Sequence, residues 1–352
     1  MSFDKRFAIG MMSGTSLDGV DLVYVSFEKR ENYSFEIIQT KTYSYTDEWK
    51  YKLKAAFNQS EIKIRQLNVE YGNYLGRLIN SFISDYQIGE IDFVASHGHT
   101  IFHKPDEGIT LQIGNGSEIS NMTNQKVVCD FRTQDVKFGG QGAPLVPIGD
   151  KLLFADYKYC LNLGGFANIS FENNEERIAF DICPVNIVMN HYVQKIGLEY
   201  DDKGKLASQG DINFQLLKEL NNLKFYDDDK PKSLGYEFVV DVIFPLIDNY
   251  NLSEKDILRT FVEHIVIQIS SKIKFKGELL ITGGGTFNTF LIDELRKKTS
   301  NQIVIPKKEI IDFKEALIFA FLGLLRIDNQ INCLKSVTGA KKDHSSGQIY
   351  VP

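Results

Sequence analysis

Phe7-Ala8-Ile9-Gly10-Met11-Met12-Ser13-Gly14-Thr15-Ser16-Leu17-Asp18-Gly19-Val20-Asp21-Leu22-Val23-Tyr24-Val25-Ser26-Phe27 sets two apolar runs around a tight polar turn. β-Branched and aromatic residues bounded by Gly, Asn and Asp read as strands, so Phe7–Met12 and Val20–Phe27 are expected to pair across Ser13–Gly19. A second turn at Glu28–Asn32 leads to a third strand, Ser34–Tyr43, and completes an antiparallel meander. The same order returns at Tyr159–Leu163, Gly164-Gly165, Phe166–Glu172, Asn173-Asn174 and Arg177–Cys183. Helices and further strands follow each meander. After the first, Asp47 caps a helix holding Trp49, Leu53 and Phe57, and Ser60 caps one with Leu67, Tyr71, Leu75, Leu78 and Phe82 on one face. Strands then come at Ile91–Ser96, Thr110–Ile113 and Lys126–Phe131. After the second, helices are expected at Val185–Ile196, Ile212–Leu223, Tyr236–Asn249, Asp256–Ile273, Asn288–Lys298 and Phe313–Ile327, with strands at Glu278–Thr282 and Ile303–Pro306. A repeated order of elements without repeated sequence predicts a duplicated α/β architecture with a ligand cleft between the halves.

The 352 residues, 43% hydrophobic and 24% charged, suit about two folded domains at roughly 150 residues each. The net charge of −6 and the lack of a long Lys/Arg run argue against nucleic acid or an anionic membrane as partner. No run reaches the roughly 18 to 20 apolar residues of a membrane span. Phe7–Met12 falls short of the about 7 to 15 residues of a signal-peptide core. Cys129, Cys160, Cys183 and Cys333 are scattered without CxxC spacing, so a cytoplasmic protein with reduced thiols is expected.

Gly14-Thr15-Ser16-Leu17-Asp18-Gly19-Val20-Asp21 has two readings. Its main-chain N–H groups can converge on a phosphate, with Asp18 and Asp21 holding Mg2+ through water, or it is a plain solvated hairpin turn. No G-x-x-x-x-G-K-[ST] loop and no Rossmann fingerprint occurs, so phosphate binding would need another architecture. Gly139-Gly140-Gln141-Gly142, Gly164-Gly165 and Gly283-Gly284-Gly285 also follow strands, and the last precedes a helix whose N-terminus can face an anion. Each is an ordinary turn taken singly; together they favour a nucleotide.

Asp181 closes the strand Ile178–Asp181, where a carboxylate is either a general base or a cap for the segment that Pro184 begins. Arg132 can grip a carboxylate bidentately or pair with Asp130 or Asp135. Glu315 sits in the first turn of a helix, where the dipole alone favours an acid. His97, His99 and His103 would share a strand face and suggest zinc, but Gly98 and Pro105 bend the segment, and cleft-wall hydrogen bonding is the stronger reading. A thiol nucleophile at Cys183 lacks an evident His partner.

The chain resembles the anhydro-N-acetylmuramic acid kinases of the sugar kinase/Hsp70/actin superfamily. The resemblance rests on Gly10–Asp21; Ser96-His97-Gly98 with Thr100, His103 and Pro105; Leu111-Gln112-Ile113-Gly114; and Asp130-Phe131-Arg132 with Asp135. It continues through Gly139-Gly140-Gln141-Gly142-Ala143-Pro144-Leu145-Val146-Pro147, Asn162–Ile169, Thr282-Gly283-Gly284-Gly285 with Asn288, Glu315-Ala316 with Phe319-Ala320, and Val337-Thr338-Gly339-Ala340 with Gly347. It implies two ribonuclease-H-like, actin-like domains flanking a nucleotide and substrate cleft. We expect the first at residues 1–131, joined by the tail 336–352, and the second at 132–335.

The resemblance further implies ATP and Mg2+, the metal ligands being unassigned, and a 1,6-anhydro-N-acetylmuramic acid substrate opened by water and phosphorylated on its 6-oxygen. By resemblance Asp181 is the base. Gly14, Thr15, Ser16, Leu17, Asp18, Gly19, Val20, Asp21, Gly164, Gly283, Gly284 and Gly285 lie by the nucleotide. Arg132, Asn186 and Glu315 contact substrate, and Thr15 serves the sugar–phosphate junction. A homodimer is also suggested. The sequence departs from the pattern Asp-Thr-Gly-Pro-Gly-Asn at Ile182, Cys183 and Val185. It also carries Asn190 where Asp, His99 where Gln, and Leu234 and Tyr236 where Thr and Arg are usual. These departures leave two alternatives, a related amino-sugar kinase of shifted specificity and a non-catalytic nucleotide or sugar sensor.

Overall fold

The computed structural model describes residues 5–14, 17–227 and 232–352. Thr15 and Ser16, both assigned above to the nucleotide, lie outside the described residues. The strands in chain order are β1 (Arg6–Met12), β2 (Gly19–Lys29), β3 (Tyr33–Ser44), β4 (Phe93–Ser96), β5 (His99–Lys104), β6 (Ile109–Ile113), β7 (Val127–Cys129), β8 (Tyr159–Leu163), β9 (Phe166–Asn173), β10 (Glu176–Pro184), β11 (Glu278–Thr282), β12 (Gln302–Val304) and β13 (Gln348–Tyr350).

The chain separates into two compact units, Met1–Leu153 with Phe313–Pro352, and Phe154–Asp312. The first therefore takes in 132–153 and 313–335, which the sequence reading gave to the second. The reason is packing: the helix Val146–Leu153 lies against β3, and the helix Lys308–Ile327 buries its apolar residues against β1 and β4.

The first unit carries a six-stranded sheet in the order β13-β7-β4-β1-β2-β3. β1, β2 and β3 run antiparallel, and β4 and β7 run parallel to β1. The second unit carries β10-β9-β8-β11-β12, again an antiparallel meander followed by two parallel strands. Leaving β13 aside, both sheets have the order third, second, first, fourth, fifth. This is the ribonuclease-H-like arrangement, so the repeated meander is a true duplication of architecture. A separate two-stranded sheet, β5 with β6, belongs to the first unit.

From Phe7 on, β1 is apolar because both its faces are covered. Ile9 and Met11 join the core built with Tyr71, Leu75, Ile79 and Phe82 of the helix Glu61–Asp85. Gly10 faces the other way, onto the C-terminal helix: a Cβ there would meet Ala316 O at 2.1 Å and the Ala320 Cβ at 2.8 Å. In the second unit, Leu161, Leu163, Ala167 and Ile169 pack with Phe261, Val262, Ile265 and Ile269 of the helix Glu254–Lys272.

Several boundaries differ from expectation. Thr46, not Asp47, caps the first helix, its side chain accepting from Trp49 N–H. Helices Gly116–Thr123, Thr133–Lys137 and Val146–Leu153 went unread because they are short and carry no long apolar stripe. The stretch Tyr236–Asp248 is helical but contains a π turn at Val239–Ile243. Pro245 has no N–H to give the ordinary ladder there. The C-terminal helix begins at Lys308, not Phe313, so Glu315 lies beyond its first turn and the dipole does not account for it. No helix among the described residues is long and apolar enough to cross a membrane, and all four cysteines are free and buried.

Gly10→Ala tests the helix contact. A backbone oxygen cannot move aside as a side-chain tip can, so we expect a loss of about 1–3 kcal/mol, typical of core overpacking. Urea unfolding measures it, and undiminished stability would contradict the packing described.

Candidate functional site

In the first unit β1, β4 and β7 are parallel, so their carboxyl ends lie on one edge of the sheet, where open α/β sheets receive ligands. Ser13-Gly14 leaves β1, His97-Gly98 leaves β4, and Asp130-Phe131-Arg132 leaves β7. Arg132 Nε–H donates to His97 Nε2 at 3.0 Å, and Nη1–H to Gly142 O at 2.7 Å. His97 Nδ1 lies 3.0 Å from Gly98 O, which can only accept, so the imidazole carries its proton on Nδ1 and offers Nε2 to Arg132. Burial, reinforced by the Arg132 charge, holds the His97 pKa well below 6.5, which keeps that acceptor available.

Neither carboxylate offered as an alternative partner for Arg132 bonds it, though the Asp135 charge acts on it. Asp130 accepts from Thr133 N–H and Gln348, and Asp135 accepts from Gly142 N–H and Thr338. Arg132 is thus aimed by a neutral ring and a carbonyl, while Glu315 and Asp135 act on it through charge alone. Glu315 feels its charge: although the side chain reaches solvent, crowding by the protein raises the Glu315 pKa, Arg132 lowers it and Asp21 raises it, so both charges act on Glu315.

A cavity of about 180 Å³ shares the His97 wall and is lined by Thr110, Gln112, Gly114, Asp130 and Tyr350 among others. Gln112 gives its amide to Thr110 at 3.0 Å, while its buried Oε1 has no partner among the described residues. An orphaned acceptor beside a polar cavity is one that a ligand hydroxyl or amide can satisfy. Gln112 carries no role in the sequence reading, and His97 is read there only for zinc or for cleft-wall hydrogen bonding, the second of which holds. Their roles follow from partners 35 residues away or from a cavity, which local spacing does not reveal.

The Gly14–Asp21 stretch divides. Gly14 and Asp18 are accessible turn residues, and Asp18 is exposed. Gly19, Val20 and Asp21 belong to β2, while Leu17 and Val20 turn their side chains into the core, so any ligand contact from those two is through the main chain. Asp21 accepts from Thr42 Oγ1 at 2.6 Å. Beneath the turn, Ser13 Oγ lies 2.6 Å from Tyr45 OH and 2.9 Å from His99 Nδ1, and Tyr45 OH is hydrogen-bonded to Tyr71 OH. His97, His99 and His103 each bond a different group (Gly98, Ser13 and Thr110), so the zinc reading of this trio fails.

In the second unit the glycine turns meet. Asn186 donates from Nδ2 to Leu163 O at 3.2 Å, and its main-chain N–H donates to Gly164 O at 3.3 Å. A Cβ at Gly285 would meet Leu163 Cβ at 2.7 Å, and one at Gly283, whose φ is +85°, would meet Asn162 Oδ1 at 2.6 Å. Only glycine fits Gly283 on both counts. The helix after Gly283-Gly284-Gly285 starts at Thr289, behind a 3-10 turn at Gly284–Phe287, so its N-terminus is not directly at the glycines. Asn186, expected at the substrate, is packed with Gly164, Gly284 and Gly285.

Asn162, Asn168 and Asp181 lie in register across β8, β9 and β10 and form a polar row on the face away from Leu161, Leu163, Ala167 and Ile169. Asp181 does not end its strand; β10 continues to Pro184 through a bulge at Ile182. The bulge sends Ile182 and Cys183 into the core while Asp181 faces out. Buried, with its pKa pushed up, Cys183 is no nucleophile. Asp181 N–H donates to Lys232 O at 2.9 Å, and Leu234 N–H donates to Asp181 Oδ2 at 2.8 Å; Oδ1 takes no hydrogen bond from a described residue. Burial raises the Asp181 pKa against the opposing effect of Leu234 N–H.

Residues 6–352 match the family model described as anhydro-N-acetylmuramic acid kinase. The anhydro-N-acetylmuramic acid kinase of Hydrogenovibrio crunogenus is 34% identical over 99% of both chains. That of Haemophilus influenzae is 31% identical over 99% of both. That of Clostridioides difficile is 32% identical over 97% of this chain and 98% of its own.

His99 yields a pH test. Burial holds its pKa at about 4 against an ordinary 6.5, so between those values the unfolded chain binds a proton that the folded chain refuses. The contribution of His99 to stability is complete above pH 6.5 and is lost as pH falls toward 4. His99→Gln keeps a hydrogen-bonding group beside Ser13 but no titration. The slope of unfolding free energy against pH in that window should fall by about 1.4 kcal/mol per pH unit. An unchanged slope would contradict the burial assigned to the ring.

Proposed function

Because the chain belongs to the anhydro-N-acetylmuramic acid kinase family and is an ATP-dependent sugar kinase, we propose that it opens 1,6-anhydro-N-acetylmuramic acid with water and phosphorylates the freed 6-oxygen. The products are N-acetylmuramic acid 6-phosphate and ADP, as cell-wall recycling requires. Asp181 takes a proton from water as the water oxygen bonds to the anomeric carbon. The bond from that carbon to the 6-oxygen breaks, and the 6-oxygen takes the γ-phosphoryl group while ADP leaves.

The observation that carries this reading is the environment of Asp181. It points off the core face, its main chain and Oδ2 are fixed by Lys232 and Leu234, Oδ1 is left for water, and burial raises its pKa toward the range useful to a base. Gly164, Gly283, Gly284 and Gly285 would cradle the nucleotide, since a Cβ at Gly283 or Gly285 is already excluded. Gly14 and the main chain through Gly19 would serve its phosphates. Asp18 and Asp21 are the carboxylates suited to hold Mg2+ through water, which would neutralise phosphate charge. Arg132, aimed by His97 and Gly142, is suited to the lactyl carboxylate of the sugar, and Glu315 to its hydroxyls.

Asp181→Asn should lower kcat by about 10²- to 10⁴-fold, the usual worth of a positioned base, with nucleotide affinity by calorimetry unchanged. A fully active variant would remove Asp181 from the role. Arg132→Lys should raise the sugar KM by about tenfold or more, from a charged hydrogen bond worth about 1.5–3 kcal/mol, and leave the ATP KM in place. Equal effects on both substrates would contradict the assignment.

A further inference from the structure

We propose that Asp135, Cys333 and His344 form a buried binding site for a divalent transition metal of the zinc class. The three are 0%, 2% and 6% exposed, and one ligating atom from each lies within 4.8 Å of the others. Each side chain is set by its own backbone or neighbours. Cys333 and His344 form an isolated antiparallel bridge, Cys333 N–H to His344 O at 3.0 Å and His344 N–H to Cys333 O at 3.1 Å, which directs both side chains to one face. Asp135 is held by Gly142 N–H on Oδ2 at 2.7 Å and by the Thr338 hydroxyl on Oδ1 at 2.8 Å.

The independent sign of a ligand is on His344. Its Nδ1 lies 3.1 Å from Lys342 O, a group that can only accept, so Nδ1 carries the proton. In the neutral ring Nε2 is then a bare lone pair. It is buried, has no hydrogen-bond partner among the described residues, and lies 3.6 Å from Asp135 Oδ1, itself an acceptor. Two acceptors facing each other in a dry interior repel unless a proton or a metal ion lies between them. Imidazole, thiolate and carboxylate are the nitrogen, sulfur and oxygen donors that a zinc-class ion takes. One thiolate and one carboxylate also neutralise a divalent cation, so the filled site carries no net charge. Three protein ligands leave the fourth tetrahedral position to water. Burial above all, with Asp135, raises the Cys333 pKa, and Arg132 and Ser346 only oppose it, so it is the bound cation that would draw the proton from the thiol.

Such an ion would pin the C-terminal segment to the loop that ends at Gly142, whose carbonyl aims Arg132. The site lies beside Arg132 but does not depend on Asp181.

The test uses the full chain, stripped with a chelator and then titrated with Co2+ and Zn2+. One equivalent of Co2+ should bind with a thiolate-to-cobalt charge-transfer band, and Zn2+ should displace it and raise Tm. Cys333→Ser should abolish the band. His344→Gln should weaken Zn2+ by about 100-fold or more, since loss of even an outer partner costs about 10- to 100-fold. Should either variant fail to fold, the cobalt spectrum of the unaltered chain decides. No band, substoichiometric uptake, binding that survives Cys333→Ser, or a His344 that takes a second proton in place of a metal each overturns the proposal.

Discussion

The first unit's site depends on how closely the C-terminal helix approaches β1. Gly10 has no side chain, and Ala316 and Ala320 have almost none, so helix and strand meet at main-chain distance. The residue beside Ala316 is Glu315. The packing that seats Ala316 on Gly10 therefore also sets where that carboxylate stands relative to Arg132 and Asp21, whose charges act on it. One methyl group at position 10 would displace a helix, and with it an electrostatic arrangement elsewhere on the same sheet edge.

A second constraint comes from strand direction. Parallel strands end on the same side, so β1, β4 and β7 bring Ser13, His97 and Arg132 to one edge although 119 residues of chain separate the first from the last. Once there, Arg132 is held by no salt bridge from a described residue. A neutral imidazole and a carbonyl hold it without cancelling its charge, which is the state required of a group that is to meet an anionic substrate. In the second unit the bulge at Ile182 does comparable work. It buries two successive residues and leaves Asp181 on the polar face with Asn162 and Asn168. Ile182, Cys183 and Val185, three of the positions at which the sequence departs from the pattern expected of the family, are all in the core, so their apolar character is a packing matter of the second unit.

The two meanders were legible because their strands alternate β-branched and aromatic residues and are cut by Gly, Asn and Asp, a signal local to a few residues. Asp181 and the glycine turns stood out for the same reason. What was not legible is set at long range. The pairing of His97 with Arg132 needs the sheet to be assembled first. The start of the helix Lys308–Ile327 is misplaced in the sequence reading because Lys308, Glu309 and Asp312 carry no apolar period, and the regular burial begins only near Lys314. The short helix Gly116–Thr123, made mostly of small and polar residues, is held by its Asn115 cap and by the helix Glu61–Asp85, neither of which a hydrophobic pattern reports.

The central claim is that water, activated by Asp181, opens an anhydro ring as the 6-oxygen is phosphorylated. The most direct measurement is mass spectrometry of the product formed from ATP, Mg2+ and 1,6-anhydro-N-acetylmuramic acid in oxygen-18 water. The account predicts a phosphorylated, ring-opened sugar with one heavy oxygen, located at the anomeric carbon. An unlabelled phosphosugar, or ADP released with the anhydro ring intact, would contradict it.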